Sequence, residues 1–319
     1  MKNKITSKKF NTYQEMSQSA TNWEHQCSYT LLPHAFDGEH HVIKLPNIQL
    51  SYSNREGGFM HDAVSPKDSI SIAIIQECHS QACFDKFKLY KGMVLFFDDS
   101  KAFNYMSKGK IITTIISIPK HVAKEFKIKL THLLGSYIED KEGLLAPTLY
   151  HILKEFLSLN IKLDINKAQK ELITLVEHLV DTQSIKDAKL TKGEKIALSI
   201  RDQVYHHMDG KINIETFANQ YQVTEQTLQN AFKSLFGFTP KYFLQLLKLN
   251  LVHHDLQEST QKETTVLRVA SKWGFSHMGR FSQEYTKLFG QNPSQTLKSL
   301  EYSKDNMVQS CTSRKEEME

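Results

Sequence analysis

The last third of this 319-residue chain holds one segment twice. Phe232 to Pro240 reads F-K-S-L-F-G-F-T-P, and Tyr285 to Pro293 reads Y-T-K-L-F-G-Q-N-P. An aromatic residue, a Leu-Phe-Gly and a Pro recur at fixed offsets, 53 residues apart. Upstream of each copy stand a short helix signal with a small residue and then a turn, Ala218 to Thr224 and Ala270 to Ser276. Each unit therefore reads as helix, tight turn, helix, the arrangement that lays a second helix in a DNA major groove. Two copies at this spacing point to sequence-specific binding of double-stranded DNA.

The two second helices have matching faces. In the first, Leu228, Ala231, Phe232 and Leu235 form an apolar stripe, while Gln226, Gln229, Asn230 and Lys233 form a polar one. In the second, Phe281, Tyr285, Leu288 and Phe289 face inward, while His277, Arg280, Gln283 and Lys287 face outward. Gln and Asn can pair with the adenine edge, Arg with guanine, and Lys suits phosphate. A solvated helix face would carry the same polarity; the duplicated context is what favours reading of bases. Thr224 and Ser276 are the expected N-caps. Thr239 caps the next helix and Pro240 takes its first position. That helix is expected to run to about Gln257, roughly 27 Å at about 1.5 Å per residue. Such a strut can hold two reading helices about one DNA turn apart, roughly 34 Å. Lys241, in its first turn, joins Lys233 and Lys287 as an expected phosphate contact. Glu284, four residues after Arg280, offers a competing ion pair.

Residues 270–293, A-S-K-W-G-F-S-H-M-G-R-F-S-Q-E-Y-T-K-L-F-G-Q-N-P, resemble the most recognisable segment of the AraC/XylS family of bacterial transcription regulators. The resemblance covers residues 193–299. It implies two helix-turn-helix subdomains joined by a linking helix, preceded by a cupin-like barrel that senses an effector and dimerises. One position departs from the pattern. Gln222 stands where unit two has Gly274 and the family usually has Gly, and a left-handed non-glycine residue costs about 1 kcal/mol. Trp23, Phe36-Asp37-Gly38, Leu45-Pro46, Leu50 and Asn54-Arg55-Glu56 are similar to regulators of the ethanolamine-utilisation type.

The remainder of the chain fits that organisation. From Thr21 to Pro119 the apolar period is two: Ile48, Leu50 and Tyr52 alternate with polar residues, as do Ile70, Ile72 and Ile74. Short strands at regular spacing indicate an antiparallel sandwich or small barrel. After Pro119 the period lengthens, predicting helices over 122–137, 144–159 and 165–182. Leu172, Leu175, Val176 and Leu179 form one helical face, expected to pair two copies of the chain or to cover the barrel. The expected plan is α+β: a flexible tail 1–19, a cupin-like antiparallel β-barrel 20–120, a helical dimerisation region 121–182, a linker 183–192, the all-α double helix-turn-helix domain 193–299 and a flexible tail 300–319.

Lys and Arg number 40 against 35 Asp and Glu, and residues 191–299 hold 13 against 9, so most of the basic excess sits in the repeated module. A mild excess suits a nucleic-acid partner without proving one. Four cysteines do not make a disulfide framework, and no signal peptide or membrane span is evident, so a soluble cytoplasmic protein is expected. Cys78, His79, Cys83 and Glu77 have metal-ligating atoms but not finger spacing. His40, His41 and His61 could meet in a barrel, but the H-x-H…E arrangement of enzymatic cupins is missing. His206, His207, His253 and His254 lie on helices, where surface placement is the default. No catalytic motif stands out. The chain is expected to be an activator rather than an enzyme, without cofactor or metal. Its expected partners are promoter DNA, RNA polymerase, a second copy of itself and a small-molecule effector. A cupin-like metal enzyme fused to a DNA-binding module, and a constitutive regulator with a filled barrel, are the alternatives.

Overall fold

Ile70, Ile72 and Ile74 fill one face of a strand whose other face, with Ser71, Ala73 and Ile75, is buried as well, and this two-sided burial organises the N-terminal half of the chain. The structure, a computed structural model, describes residues 5–19, 23–33, 36–158, 164–207, 212 and 214–298. Two compact units result, one of residues 1–29 and 35–191, the other of residues 30–34 and 192–319.

The first part of the chain runs β1 (Ile5–Phe10), α1 (Tyr13–Ser19), β2 (Glu24–Thr30), β3 (Asp37–Lys44), β4 (Gln49–Glu56), β5 (Phe59–Val64), β6 (Ser69–Cys78), β7 (Ala82–Phe84), β8 (Phe87–Lys88), β9 (Met93–Asp98), β10 (Phe103–Ser107), β11 (Ile111–Pro119), α2 (Lys120–Glu125), β12 (Tyr137–Glu139), α3 (Leu145–Leu157) and α4 (Ile165–Thr182). A seven-stranded sheet has the order β1-β3-β4-β11-β6-β9-β12, and a five-stranded sheet the order β2-β5-β10-β7-β8. On one face of the larger sheet, Leu50, Ile72, Ile74, Phe96 and Ile116 pack with Leu149, Phe156, Leu172 and Val176 of α3 and α4. On the other, Ala73, Ile75, Leu95 and Phe97 pack with Phe59, Phe84, Phe103 and Tyr105 of the smaller sheet. The unit is thus three layers deep. The antiparallel architecture is as expected; instead of one closed barrel it forms two sheets facing each other.

Four expectations are corrected. Residues 5–19 are not a loose tail. β1 pairs with β3 from Ile5 opposite Ile43 to Phe10 opposite Gly38, and α1 buries Tyr13 and Met16. Exposed Ser7, Lys8 and Lys9 disguise the strand, as charge on an edge strand commonly does. The helix expected over 122–137 stops at Glu125, because Lys127 turns left-handed (φ 57°), and a 3₁₀ turn at Thr131–Leu133 leads into β12. The expected linker is docked on the sheet. Lys186 exchanges two backbone hydrogen bonds with Tyr137, and its Nζ lies 2.5 Å from Glu139 Oε2. Asp187 pairs with Lys86 at 2.6 Å. These lysines hold both carboxyls below the usual range. Last, the stripe expected to pair two chains is already occupied: Leu172, Val176 and Leu179 are core, and only Leu175 is partly exposed. α4 itself begins as its sequence dictates, with the Asp164 carboxylate accepting from the amides of Asn166 and Lys167.

The helical unit comprises α5 (Lys192–His207), α6 (Ile214–Gln220), α7 (Glu225–Phe236), α8 (Pro240–Glu258), α9 (Val266–Lys272) and α10 (Met278–Phe289). α8 is buried around most of its circumference, through Phe243, Leu244, Leu246, Leu247, Leu249, Asn250, Val252 and Leu256. A helix apolar on all sides belongs in the middle of a bundle. Thr30 and Leu31 belong to this unit. The Asn250 amide accepts from the Thr30 backbone N–H (2.7 Å) and donates to its carbonyl (2.8 Å), and Leu31 is fully buried. The proposed tail 300–319 lies outside the described residues.

Leu172→Ala should destabilise the N-terminal unit by about 3 kcal/mol, the usual range for a fully buried leucine. Urea unfolding would show this, while light scattering on the folded variant should give the same mass as the wild type. A change of mass without loss of stability would return the stripe to a pairing role.

Candidate functional site

Two helix-turn-helix units share one backbone design. In the first turn Tyr221 N–H donates to Phe217 O, Gln222 N–H to Asn219 O and Val223 N–H to Ala218 O. In the second Trp273 N–H donates to Val269 O, Gly274 N–H to Ser271 O and Phe275 N–H to Ala270 O, the same three bonds 52 residues on. Both turns need a left-handed residue, and Gln222 (φ 50°) supplies it where Gly274 (φ 83°) does so without a Cβ. The following helices match at a different offset. α7 and α10 are both 12 residues long and both end at a left-handed glycine, Gly237 and Gly290, 53 residues apart. The second connection therefore carries one extra residue. This explains why Ser276 is not the expected cap: His277 occupies that position, without a side-chain hydrogen bond to the helix. In unit one Thr224 caps as expected, its Oγ1 accepting from Thr227 N–H at 3.2 Å.

The polar faces stand clear of the core. On α7, Gln226, Asn230 and Lys233 are exposed and Gln229 is half-buried. Gln226 Nε2 donates to Asn230 Oδ1 at 2.9 Å, so the two amides are already aligned. On α10, His277, Arg280, Gln283 and Lys287 are exposed. Arg280 Nε donates to Glu284 Oε1 at 2.9 Å, the competing pair anticipated from sequence. The other Glu284 oxygen accepts from Gln245 of α8, a tie that sequence spacing did not reveal. Lys241 is exposed in the first turn of α8, behind the Thr239 cap and Pro240.

α7 and α10 are each fixed to α8 by aromatic packing. Phe232 and Phe236 of α7 pack against Phe243. Tyr285 of α10 hydrogen-bonds His253 Nδ1 at 2.6 Å and donates to Thr296 Oγ1 at 2.8 Å, and the His253 ring stacks on Phe289. Trp273 Nε1 donates to Asp255. His253 is thus part of the core packing, contrary to the surface default, whereas His254 is exposed and pairs with Glu258. Burial, followed by the neighbouring His254, lowers the His253 pKa from 6.5 to about 4. The side chains of His206 and His207 lie outside the described residues.

The N-terminal unit contains a second candidate site, a cavity of about 90 Å³ between the two sheets. Arg55 reaches it from β4, His61 from β5, Tyr105 from β10, and Tyr13 from α1. His61 hydrogen-bonds Tyr13 Oη. Of the histidines considered together from sequence, His40 and His61 line the cavity, while His41 bonds Ser7 (2.8 Å) and Glu39 (3.2 Å). Cys78 and Cys83 donate to the carbonyls of Ser80 and Asp85. Among the described residues no three His, Cys, Asp or Glu side chains are grouped as a metal site, and no helix is long and apolar enough to cross a membrane.

This geometry defines a double helix-turn-helix module, a nucleic-acid-binding class of fold. Residues 217–299 match the family described as "Helix-turn-helix domain". They form a domain of the AraC/XylS type. The "Probable thc operon regulatory protein" of Rhodococcus erythropolis is 29% identical over 101 residues, 32% of this chain and 30% of that protein. The "XylDLEGF operon transcriptional activator" of Pseudomonas putida is 28% identical over 95 residues, 30% of each chain. The match thus spans about 30% of the length of these curated relatives. The solved structure of "the AraC-like transcriptional activator CuxR" is 12% identical, covering 76% of this chain and 93% of that one, with a TM-score of 0.44. By their names these are an operon regulatory protein and two transcriptional activators.

Two stability measurements test the assembly. Gln222→Gly should stabilise the helical unit by up to about 1 kcal/mol, less the greater unfolded entropy of glycine. A clear loss on thermal unfolding would mean that the Gln222 side chain supports the turn. The second concerns acid. His253 binds its proton less readily when folded, so the unfolded state takes up more protons below pH 6.5. Its contribution to stability is present above pH 6.5 and is lost progressively as pH falls to about 4. His253→Phe should flatten the loss over that window; an unchanged pH profile would place the sensitivity elsewhere.

Proposed function

We propose that the chain is a sequence-specific DNA-binding transcription regulator, an effector-responsive activator that acts at promoters. The observation that supports it most is the repetition of the same turn hydrogen bonds in front of two equal-length helices, each with an exposed amide or guanidinium face. Thr224, Gln226, Gln229, Asn230 and Lys233 would meet one stretch of major groove. Ser276, His277, Arg280, Gln283 and Lys287 would meet the next, with Lys241 on phosphate. The Glu284 carboxylate keeps Arg280 extended until a guanine edge replaces it. RNA polymerase and a second copy of the chain are the proposed protein partners, in the cytoplasm. Pairing would double the number of reading helices and raise avidity without new contacts per chain. The cavity between the sheets is the proposed effector site. A ligand there would act through differential affinity for two arrangements of the protein.

The experiment is selection of binding sites from random duplex DNA, followed by affinity measurements on single-base variants. Arg280→Ala and Asn230→Ala should each relax preference at one position, at a cost of about 1–3 kcal/mol. Affinity should fall steeply with salt as Lys233, Lys241 and Lys287 release counterions. If both substitutions weakened all sequences equally, direct reading by these side chains would be wrong.

A further inference from the structure

Arg55 is the feature of the cavity that the protein itself does not complete. Its side chain is 93% buried, by a residual exposure of 7%. Nη2 donates to Thr113 Oγ1 at 2.5 Å, and the guanidinium lies near the Tyr13 hydroxyl. Nε has no hydrogen-bond partner. Its guanidinium carbon stands 4.8 Å from the centroid of the Tyr105 ring. Among the described residues no ion pair involves Arg55, and no carboxylate lines the cavity. Arginine stays protonated in proteins. A buried positive charge is retained here with hydroxyls and aromatic faces around it, but no counter-charge.

A second orphan stands beside it, on the facing sheet. Tyr105 Oη is buried without a hydrogen-bond partner. Burial pushes its pKa up to about 12, so it remains a hydroxyl donor at neutral pH. Apolar side chains also line the cavity, Ile75, Leu95, Phe97 and Phe103 among them. The volume, about 90 Å³, limits the occupant. It is of the same order as the 150 Å³ or so of an engineered cavity that takes benzene, so the occupant has no more than about six non-hydrogen atoms.

We propose that this cavity binds a small monocarboxylate with a short aliphatic body, its carboxylate on the Arg55 fork and its chain against Ile75, Leu95, Phe97 and Phe103. A planar carboxylate matches two parallel guanidinium N–H groups, and Tyr105 donates the third hydrogen bond. A doubly charged anion would bring a second negative charge that no other cavity-lining residue is a lysine or arginine to meet. The assignment rests on the reading of the N-terminal unit as an effector domain.

The test uses the full chain, with butyrate as the probe and butyramide and inorganic phosphate as controls. At about a hundredfold excess over its Kd, butyrate should raise the melting temperature by roughly 5–10 °C. The amide, of equal shape and no charge, should bind at least about thirtyfold more weakly, the scale for losing a buried charge pair. Arg55→Gln should abolish the butyrate shift without lowering the melting temperature of the ligand-free protein, because it removes an uncompensated charge. If Arg55 instead holds the fold together, that variant melts lower, and the proposal fails. Tyr105→Phe, which preserves shape, should weaken butyrate about twentyfold, within the range for losing a hydrogen bond to a charged group. Equal binding of butyrate and butyramide, or no binding of butyrate by the folded wild type, overturns the assignment. DNA affinity measured in parallel separates the two ideas. Butyrate that binds through Arg55 without changing DNA affinity leaves the site intact and removes the effector role. Specific DNA binding with no butyrate binding removes the site and leaves the regulator.

Discussion

The helical unit is built on one helix that is buried around most of its circumference. α8 is apolar around most of its length, so it cannot be a simple surface spacer. It is the element on which both α7 and α10 are mounted. α7 is attached through the Phe232, Phe236 and Phe243 rings, and α10 through Tyr285, Phe289 and His253. Buried aromatic contacts of this kind each add about 0.5–1.5 kcal/mol beyond area burial. Their energetic importance lies less in any one pair than in the rigidity of the whole. If α8 bends or shifts, the spacing of the two polar faces changes with it. Thr239 and Pro240 fix where the helix starts, and 19 residues fix its length at about 28 Å.

The same rigidity explains why polar groups occur in the interior. Asn250 is buried among leucines, yet its amide is satisfied by Thr30 and Leu246. Tyr285 is fully buried, but its hydroxyl has two partners. Arg55, in the other unit, breaks this pattern. Taking a charge out of water without a partner costs several kcal/mol, and burying an unpartnered hydroxyl, as at Tyr105, costs about 1–3 kcal/mol. Both costs fall on the lining of one cavity, and the proposed carboxylate would offset both.

The helical unit was legible because its signals are local and repeated. Caps, turn residues, Leu-Phe-Gly and the apolar stripes all lie within a dozen residues of what they organise. Even the left-handed Gln222 could be inferred, by alignment with Gly274. The Ser276 error came from carrying the turn offset of 52 across a helix offset of 53. The N-terminal unit was legible only as a class. β1 and the segment around Lys186 join the sheet through backbone pairing and ion pairs, which leave no apolar period. The Leu172 stripe was visible, but an amphipathic face does not name its partner, and the sheet beneath it came from residues more than thirty positions away. Arg55 was hidden for a different reason. Ser51, Ser53 and Arg55 read as the solvent side of β4, but both faces of that sheet are covered, so the polar side points into the cavity. The usable signal was that β6, two strands along, carries apolar or small residues on both of its faces.

The central claim is that a single chain places two helices in successive major grooves on one side of DNA. Hydroxyl-radical footprinting of the full chain on a selected high-affinity duplex tests it most directly. The account predicts two protected patches on the same face, centred about 10–10.5 base pairs apart. Removal of the α10 face by combined Arg280→Ala and Gln283→Ala substitution should erase one patch and leave the other. A single patch for the unaltered chain, or two that vanish together, would contradict it.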